Sequence, residues 1–455
     1  MLLPLLFVAS LLTAPDFNPT NAAPPDSVVR DGARAPGDSV MYGELTDGAS
    51  YRRIRNSRGV ILHVLSIDLS KGLTVEAIKA RDSYDGLETL TEMYERAERQ
   101  AKRDGDTVLA AINAGPWHAE RLTPIGPLVV DGDVVELATD DAWSSLLLYN
   151  DKAAISRDRV SGGIHWRHRH IDVQSVNRRA NSKGLVVYNA MYGATVPDTV
   201  TKSENQIVAD IVANAAHDDT GIDFDVHDID SVEIIRRYRY TRRFDHHQEQ
   251  GAFKVAVRRL QTARSNWFGE PRINDTMWTM VVKVDTGAIA VPHDGYVISP
   301  GSNEDWFRSA RYGDTVRLHF QVARNGIGTI HDVVPGYPQL LFEGSPAPEP
   351  DFAQGPAAAV RPDDPGARTA VGITKGGNTM LLVAVEAPTD EGAGGLTIDE
   401  LASTMRTLGA HDAIAMEGHA SSSMVVNYEA VTHGADANAL RRISNALVVK
   451  KKRRW

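Results

Sequence analysis

The segment from Met380 to Val426 constrains the fold more than any other part of the chain. Met380-Leu-Leu-Val-Ala-Val385 is a continuous apolar run of strand length. Thr397-Ile-Asp-Glu400 then reads as a capping box, and Ile398, Leu401, Ala402, Met405 and Leu408 recur at helical spacing until Gly409 supplies a stop. A second strand, Asp412-Ala-Ile-Ala-Met416, breaks at the lone carboxylate of Glu417 and the hydroxyl-rich turn Gly418-His-Ala-Ser421-Ser-Ser423 before a third strand begins. A carboxylate at the end of a buried strand is expensive to desolvate, so Glu417 marks a candidate site, with donors supplied by the serines beside it.

The N-terminal half repeats this logic. Val60 to Leu69 reads as a strand, and Leu90, Met93, Tyr94, Ala97 and Ala101 predict a helix over 89–102. Thr107 to Ile112 is a strand that ends at Asn113, as the later one ends at Glu417. Leu128-Val-Val-Asp131-Gly132-Asp-Val-Val135 predicts a hairpin, because Asp-Gly accepts the positive φ of a type I′ turn. From about 155 to 330 the pattern changes to short β-rich runs with charge clusters. Together these segments predict an α+β or mixed α/β fold, a layered sheet-and-helix domain over 45–450 in which 155–330 is a β-rich insertion.

At 455 residues the chain exceeds the roughly 250–300 that one hydrophobic core serves. Its formal net charge of −10 excludes nucleic acid and anionic membrane surfaces as the main partner. The basic ending Lys450-Lys-Lys-Arg-Arg-Trp455 reads as a solvated tail. The absence of cysteine removes disulfides and thiolate metal sites. Residues 1–23 open on an apolar run and read as a signal peptide, and residues 24–44 read as a linker, so the expected location is secreted or periplasmic, with no integral span in the mature chain.

Metal binding is not expected from the histidine-rich clusters. In Gly163-Ile-His165-Trp-Arg-His168-Arg-His170, strict alternation puts His168 and His170 on one strand face and His165 on the other, without a third ligand in register. His246-His247 is equally poor, and the acidic run Asp223–Asp230 lacks the glycine and terminal glutamate of a calcium loop. No cofactor is expected.

Glu417-Gly-His-Ala-Ser-Ser-Ser-Met424 resembles the signature of the phosphodiester glycosidase family, in which an Asp and three glycines precede the hydroxyl residues. Arg368-Thr369-Ala-Val-Gly372 is similar to that family's Arg-Thr-Ala-Ile-Gly strand, and Gly336-Tyr-Pro-Gln-Leu-Leu-Phe-Glu-Gly344 to its Gly-Gly-Pro-x-Leu-Leu segment. Ile112-Asn113-Ala-Gly-Pro-Trp117 stands where the family carries Asn-Gly-Gly/Asp-Phe-Phe. Weaker matches occur at Ser175–Arg178, Leu185–Tyr188 and Val291–Ile298, so the likeness runs in order over roughly 45–450. The departures are Glu for Asp at 417, His419 and Ala420 for two glycines, and Pro116 and Trp117 after the Asn113 strand.

This resemblance implies an exported hydrolase that cleaves a sugar joined through its anomeric oxygen to a phosphodiester, in envelope or extracellular polysaccharide. Glu417, Arg368, Asn113 and His419 are the implied catalytic set: a carboxylate for base, nucleophile or oxocarbenium stabilisation, a guanidinium for phosphoryl oxygens, an amide for a hydroxyl or phosphate, and an imidazole acid. Ser421, Ser422, Gly418, Thr369, Trp117 and His118 are the implied substrate-binding residues, Trp117 by stacking on a sugar and His118 as a second candidate acid. The alternative is a noncatalytic carbohydrate or cell-wall binding protein on the same fold.

Overall fold

The structure, a computed structural model, describes residues 39–118, 122–137, 143–157, 159–197, 247–260, 273–322, 329–348, 362–387, 394–432 and 440–453. The opening 1–23, the acidic run at 223–230 and His246 lie outside the described residues.

Two capped helices flank a stack of mainly antiparallel sheets. In Leu90–Asp104 the Thr89 side chain accepts from the Glu92 N–H while Glu92 reaches back, and Gly105 ends the helix at φ 82°. Its apolar stripe, Leu90, Met93, Tyr94, Ala97 and Ala101, is buried against Val108, Ala111, Val425, Ala446 and Val448. Those residues are one face of a five-stranded sheet ordered Glu429–Ala430, Met424–Val426, Thr107–Asn113, Asn445–Lys451, Leu73–Lys79. The second helix, Ile398–Thr407, has the same capping box from Thr397 and Glu400. It packs Leu401, Ala402 and Met405 onto Ala370, Leu381, Val383 and Ala413 of an eight-stranded sheet. At the point of closest approach the strand carries Gly372, where a Cβ would meet Met405 Cε at 2.6 Å and Ala410 Cβ at 2.8 Å.

Within that eight-stranded sheet, Arg368–Ile373 pairs antiparallel with Thr379–Val385 on one side and Asp412–Ala415 on the other. The inner faces of the two sheets meet in a shared core of Leu65, Ile67, Val371, Leu382 and Ile414 against Val75, Leu109, Ile112, Met424 and Leu447. Among the described residues two further large sheets and two two-stranded ribbons complete the set. Strands Leu128–Val130, Asp133–Glu136, Ser144–Leu148, Ala153–Ser156 and Asp332–Gly336 form a five-stranded sheet whose alternate residues enter two cores: Leu128, Leu146 and Val334 face the core just described, while Val129, Leu147 and Val333 face a second. An eight-stranded sheet whose strands all fall between Val160 and Val322 closes that second core with Ile164, Val257, Val281, Leu318 and Phe320. The expected hairpin is present, with Asp131 at φ 50° and Gly132 at φ 77°.

The fold class is therefore β-rich, and the expected α+β or mixed α/β layering of helices on sheets is incorrect. Among the described residues, only the two capped helices exceed a single turn, and the largest cores lie between sheets rather than under helices. The expectation extrapolated from one strand-helix-strand unit. In that unit the two strands do not pair but flank the antiparallel Arg368–Ile373, and every ladder in the sheet is antiparallel. Ligand binding at the carboxyl edge of an open parallel sheet is consequently not the principle that locates Glu417.

Candidate active site at the crossing between two sheets

The chain leaves the eight-stranded sheet at Ala415 and enters the five-stranded sheet at Met424, and the connecting loop carries Glu417, Gly418, His419, Ser421 and Ser422. Its path is held by backbone bonds: Met416 N–H donates to Thr369 O (2.8 Å), Glu417 N–H to Ala114 O (2.9 Å) and His419 N–H to Ala367 O (2.8 Å). Asn113 joins the two sheets. Its Nδ2 donates to Glu417 O at 2.6 Å, and its Oδ1 accepts from Thr369 Oγ1 at 2.8 Å and from Ser423 N–H at 3.0 Å. Thr369 Oγ1 also sits 3.1 Å from Ser422 Oγ. Both acceptor positions of the Asn113 amide and one of its donors are engaged, so its geometry is that of a buried tie between strands.

Arg368 starts the strand next to this tie and is buried. Its Nε donates to Leu396 O (2.9 Å), just ahead of the Ile398–Thr407 helix, and its Nη2 to Asp364 O (2.6 Å), on the segment that enters its own strand. Burial depresses the guanidinium pKa, against the raising effect of the Asp364 charge, and it stays protonated at any working pH. Its Nη1 lies 3.4 Å from His419 Nε2, which must accept because guanidinium only donates. His419 adopts φ 54°, and its ring lies over Gly366, where a Cβ would meet the imidazole at 3.1 Å. A left-handed conformation at a position with a side chain stores backbone strain, and it turns the imidazole toward Arg368.

These groups open onto a cleft of about 180 Å³ lined by Trp117, Arg368, Thr369, Glu417, Gly418 and His419 of the expected set, with Trp143, Tyr337 and Ile398 among the remaining walls. Trp143 and Tyr337 meet edge to face at 6.4 Å. The Arg441 guanidinium covers the Trp117 ring at 5.2 Å, and Trp117 Nε1 is buried without a hydrogen-bond partner. Glu417 is the single carboxylate among the described lining residues.

Three expected substrate-binding residues sit elsewhere. Ser421 and Ser422 are both 1% exposed and behind the cleft wall, and Ser421 Oγ has no hydrogen-bond partner. His118 is exposed beside the cleft, its backbone closing a turn with Leu122 and Thr123. The sequence reading missed Asn445, which holds the Asn113 loop by accepting from Gly115 N–H (2.6 Å) and donating to Gly115 O (3.1 Å). Its signal was a polar residue opening the apolar run Ala446–Val449, one register step from Asn113. A larger, open cleft of about 750 Å³ lies at the other end of Asp412–Ala415, with Lys152, Arg157, His411 and Asp412 on its walls, and contains none of the expected site residues.

Residues 272–450 match the phosphodiester glycosidase family. That is the family which the signature loop resembles, a family of glycosidase-type hydrolases, and the matched stretch holds Arg368, Thr369, Glu417, Gly418 and His419 but not Asn113, Trp117 or His118. A hypothetical protein from Synechocystis superposes with a TM-score of 0.59 at 15% identity, covering 92% of this chain and 64% of its own, so the chain spans under two thirds of that relative. A protein from Burkholderia pseudomallei, described as exported, superposes at 0.53 with 20% identity over 86% of this chain and 74% of that one. Both show a shared fold. The catalytic domain of zebrafish N-acetylglucosamine-1-phosphodiester alpha-N-acetylglucosaminidase, auto-inhibited by its pro-peptide, aligns at 12% identity over 91% of this chain and 84% of that one, with a TM-score of 0.36. No curated protein matches the sequence. Among the described residues no helix is long and apolar enough to cross a membrane.

Proposed function

We propose that this cleft hydrolyses a glycosyl phosphodiester, with Arg368 holding the phosphoryl oxygens and Glu417 acting at the anomeric carbon as base or nucleophile. The observation that carries the reading is the meeting of a buried guanidinium and one carboxylate in the same cleft, supplied by a strand end and a crossing loop that a buried amide ties together. Glycosidases of the usual kind need a second carboxyl group to protonate the departing alkoxide. A phosphate monoester departs as a stable anion, its second pKa being about 6. One carboxylate therefore suffices: water adds to the anomeric carbon, the bond to the phosphate oxygen breaks, and the products are a reducing sugar and a phosphomonoester.

Incubation with a series of sugar-1-phosphodiesters tests this directly. The expected result is release of free reducing sugar, reduced about 10²-fold or more by Glu417→Gln. Arg368→Lys is expected to lose comparable rate, because ammonium cannot reproduce the planar fork. Rates unchanged in both variants overturn the assignment. Export rests on the apolar opening of the sequence and on the exported description of the Burkholderia neighbour. Fractionation of the native host is expected to find the protein outside the cytoplasm, and an intact Met1 in the cytosolic fraction contradicts that.

Two observations favour the second reading, a carbohydrate-binding protein without turnover. The cleft volume of about 180 Å³ is below the roughly 300–1,000 Å³ usual for small-molecule sites, and His419 occupies a place where the family carries glycine. Such a protein would retain glycan affinity while releasing no sugar from any phosphodiester.

A further inference from the structure

We propose that the solvent face of the eight-stranded sheet built from Val160–Val322 binds a divalent transition metal ion of the zinc class through His165, His170 and His319. The site is independent of the cleft described above, none of whose lining residues belongs to this sheet.

The chain reverses at Arg167-His168, with Arg167 at φ 53°, so Val160–Trp166 and Arg169–Val173 form a hairpin in which His165 lies directly opposite His170. Directly opposite residues share a face, and strict alternation along the run fails because the turn interrupts it. His319 joins from the neighbouring strand Thr315–Val322, where it pairs opposite Gly163. Their sequence neighbours Ile164 and Leu318 point into the core, which leaves the three imidazoles together on the outer face. Ring centroids are separated by 4.4, 5.1 and 5.3 Å, and one nitrogen from each ring falls in a set spanning no more than 4.8 Å.

Three features favour a metal over three packed side chains. First, Gly163 lies beneath the rings, and a Cβ there would approach His170 Cε1 to 2.3 Å and His319 Cε1 to 2.5 Å, so the cluster closes only over a glycine. Second, His170 Nε2 bonds Asp172 Oδ1 at 2.9 Å, which leaves Nδ1 with its lone pair facing His165 Nε2 at 3.1 Å. A carboxylate on the far nitrogen is the usual way a metal-bound imidazole is oriented. Third, His319 Nδ1 is buried without a hydrogen-bond partner, an arrangement that costs free energy unless another ligand completes it. Arg317, opposite His165 on the neighbouring strand, has its guanidinium 5.4 Å over the Trp278 ring, and the Asp172 carboxylate sits on the same face against His170.

Zinc–nitrogen bonds of about 2.0–2.1 Å in a tetrahedron set ligand nitrogens about 3.4 Å apart. The present set, within 4.8 Å with His170 Nδ1 and His165 Nε2 at 3.1 Å, lies about 1 Å from that spacing.

The test titrates zinc alone into chelator-stripped full chain, by calorimetry and by competition with a chromophoric chelator. One equivalent is expected to bind with micromolar or tighter affinity, to raise the melting temperature, and to bind more weakly as pH falls below the ordinary histidine range. His165→Gln, His170→Gln and His319→Gln are each expected to weaken binding at least about 10-fold, and Asp172→Asn about 10- to 100-fold. His168→Gln, in the turn, is expected to change nothing. Melting curves recorded without zinc separate lost binding from lost folding, and Gly163→Ala keeps all the ligands but displaces them, so it too should weaken binding. Absence of stoichiometric binding, or His319→Gln binding zinc as well as the parent, overturns the proposal.

Discussion

At the scale of single residues, Asn113 and Ser421 separate positioning from binding. Asn113 is 1% exposed and its bonds to Glu417 O, Thr369 and Ser423 are all internal, so Asn113→Ala removes the acceptor of the buried Ser423 N–H and a donor to Glu417 O. A stability loss of about 2–3 kcal/mol is expected in urea melts, with loss of any activity of the cleft as the crossing loop shifts. Ser421 predicts the opposite. Its hydroxyl is buried and unbonded, so Ser421→Ala should be neutral or slightly stabilising, within about 0.5 kcal/mol. Turnover that collapses in Ser421→Ala with an unchanged melt would show that the loop opens to let this hydroxyl reach substrate.

At the scale of elements, the helix Ile398–Thr407 connects stability to the cleft. Its first turn begins just after Leu396, whose carbonyl holds Arg368, and Ile398 forms part of the cleft wall. Thr397→Ala is expected to lose about 1 kcal/mol in thermal melts and to raise KM for any anionic substrate. Arg58 and then the Thr397 N–H hold the Glu400 carboxyl below the usual range. A depressed carboxyl stabilises the fold above its unfolded pKa, and that contribution disappears as pH falls through the lowered value. The stability gap between wild type and Glu400→Gln, about 1 kcal/mol or less because the Arg58 pair is half exposed, should therefore close below about pH 4.5. Both long helices were legible from local signals, the helical spacing of Leu90, Met93, Tyr94, Ala97 and Ala101 in the first and the Thr397–Glu400 capping box with its apolar stripe in the second. The Asp131-Gly132 hairpin was legible for the same reason. The pairing of Thr107–Asn113 with Asn445–Lys451 was not, since no short-range pattern specifies partners more than 300 residues apart. The hairpin that brings His165 and His170 together also escaped notice, because Trp166-Arg-His-Arg169 contains no glycine, proline or asparagine to announce a turn. For the site, the strand ends at Asn113 and Glu417 and the Arg368 strand were readable, whereas the burial of Ser421 and Ser422 follows from how the two sheets close over the loop.

At the scale of the whole molecule, Asp332 joins sheets that are remote in sequence. It is 1% exposed and accepts from Ala77 N–H (3.1 Å), Asp131 N–H (2.7 Å) and the His331 ring (2.9 Å). Burial lowers the His331 pKa, but the Asp332 bond and charge outweigh it, and the net shift is upward from 6.5. A raised histidine stabilises the fold fully below its unfolded pKa and loses that contribution as pH rises through the folded one. Stability should therefore decline as pH climbs above 6.5, and Asp332→Asn should flatten that slope while costing about 1–3 kcal/mol in urea melts at every pH. The five-stranded sheet to which Asp332 belongs sends alternate side chains into two cores, and Ser144–Leu148 and Asp332–Gly336 are buried throughout. Along these two strands the sheet is a party wall with no outdoor side. Neither neighbour can be demolished without exposing it, so its amides should exchange with deuterium only when the entire molecule opens. A fragment ending before Asp332 would present bare apolar strands to water, and it should be recovered as aggregate rather than as a folded half.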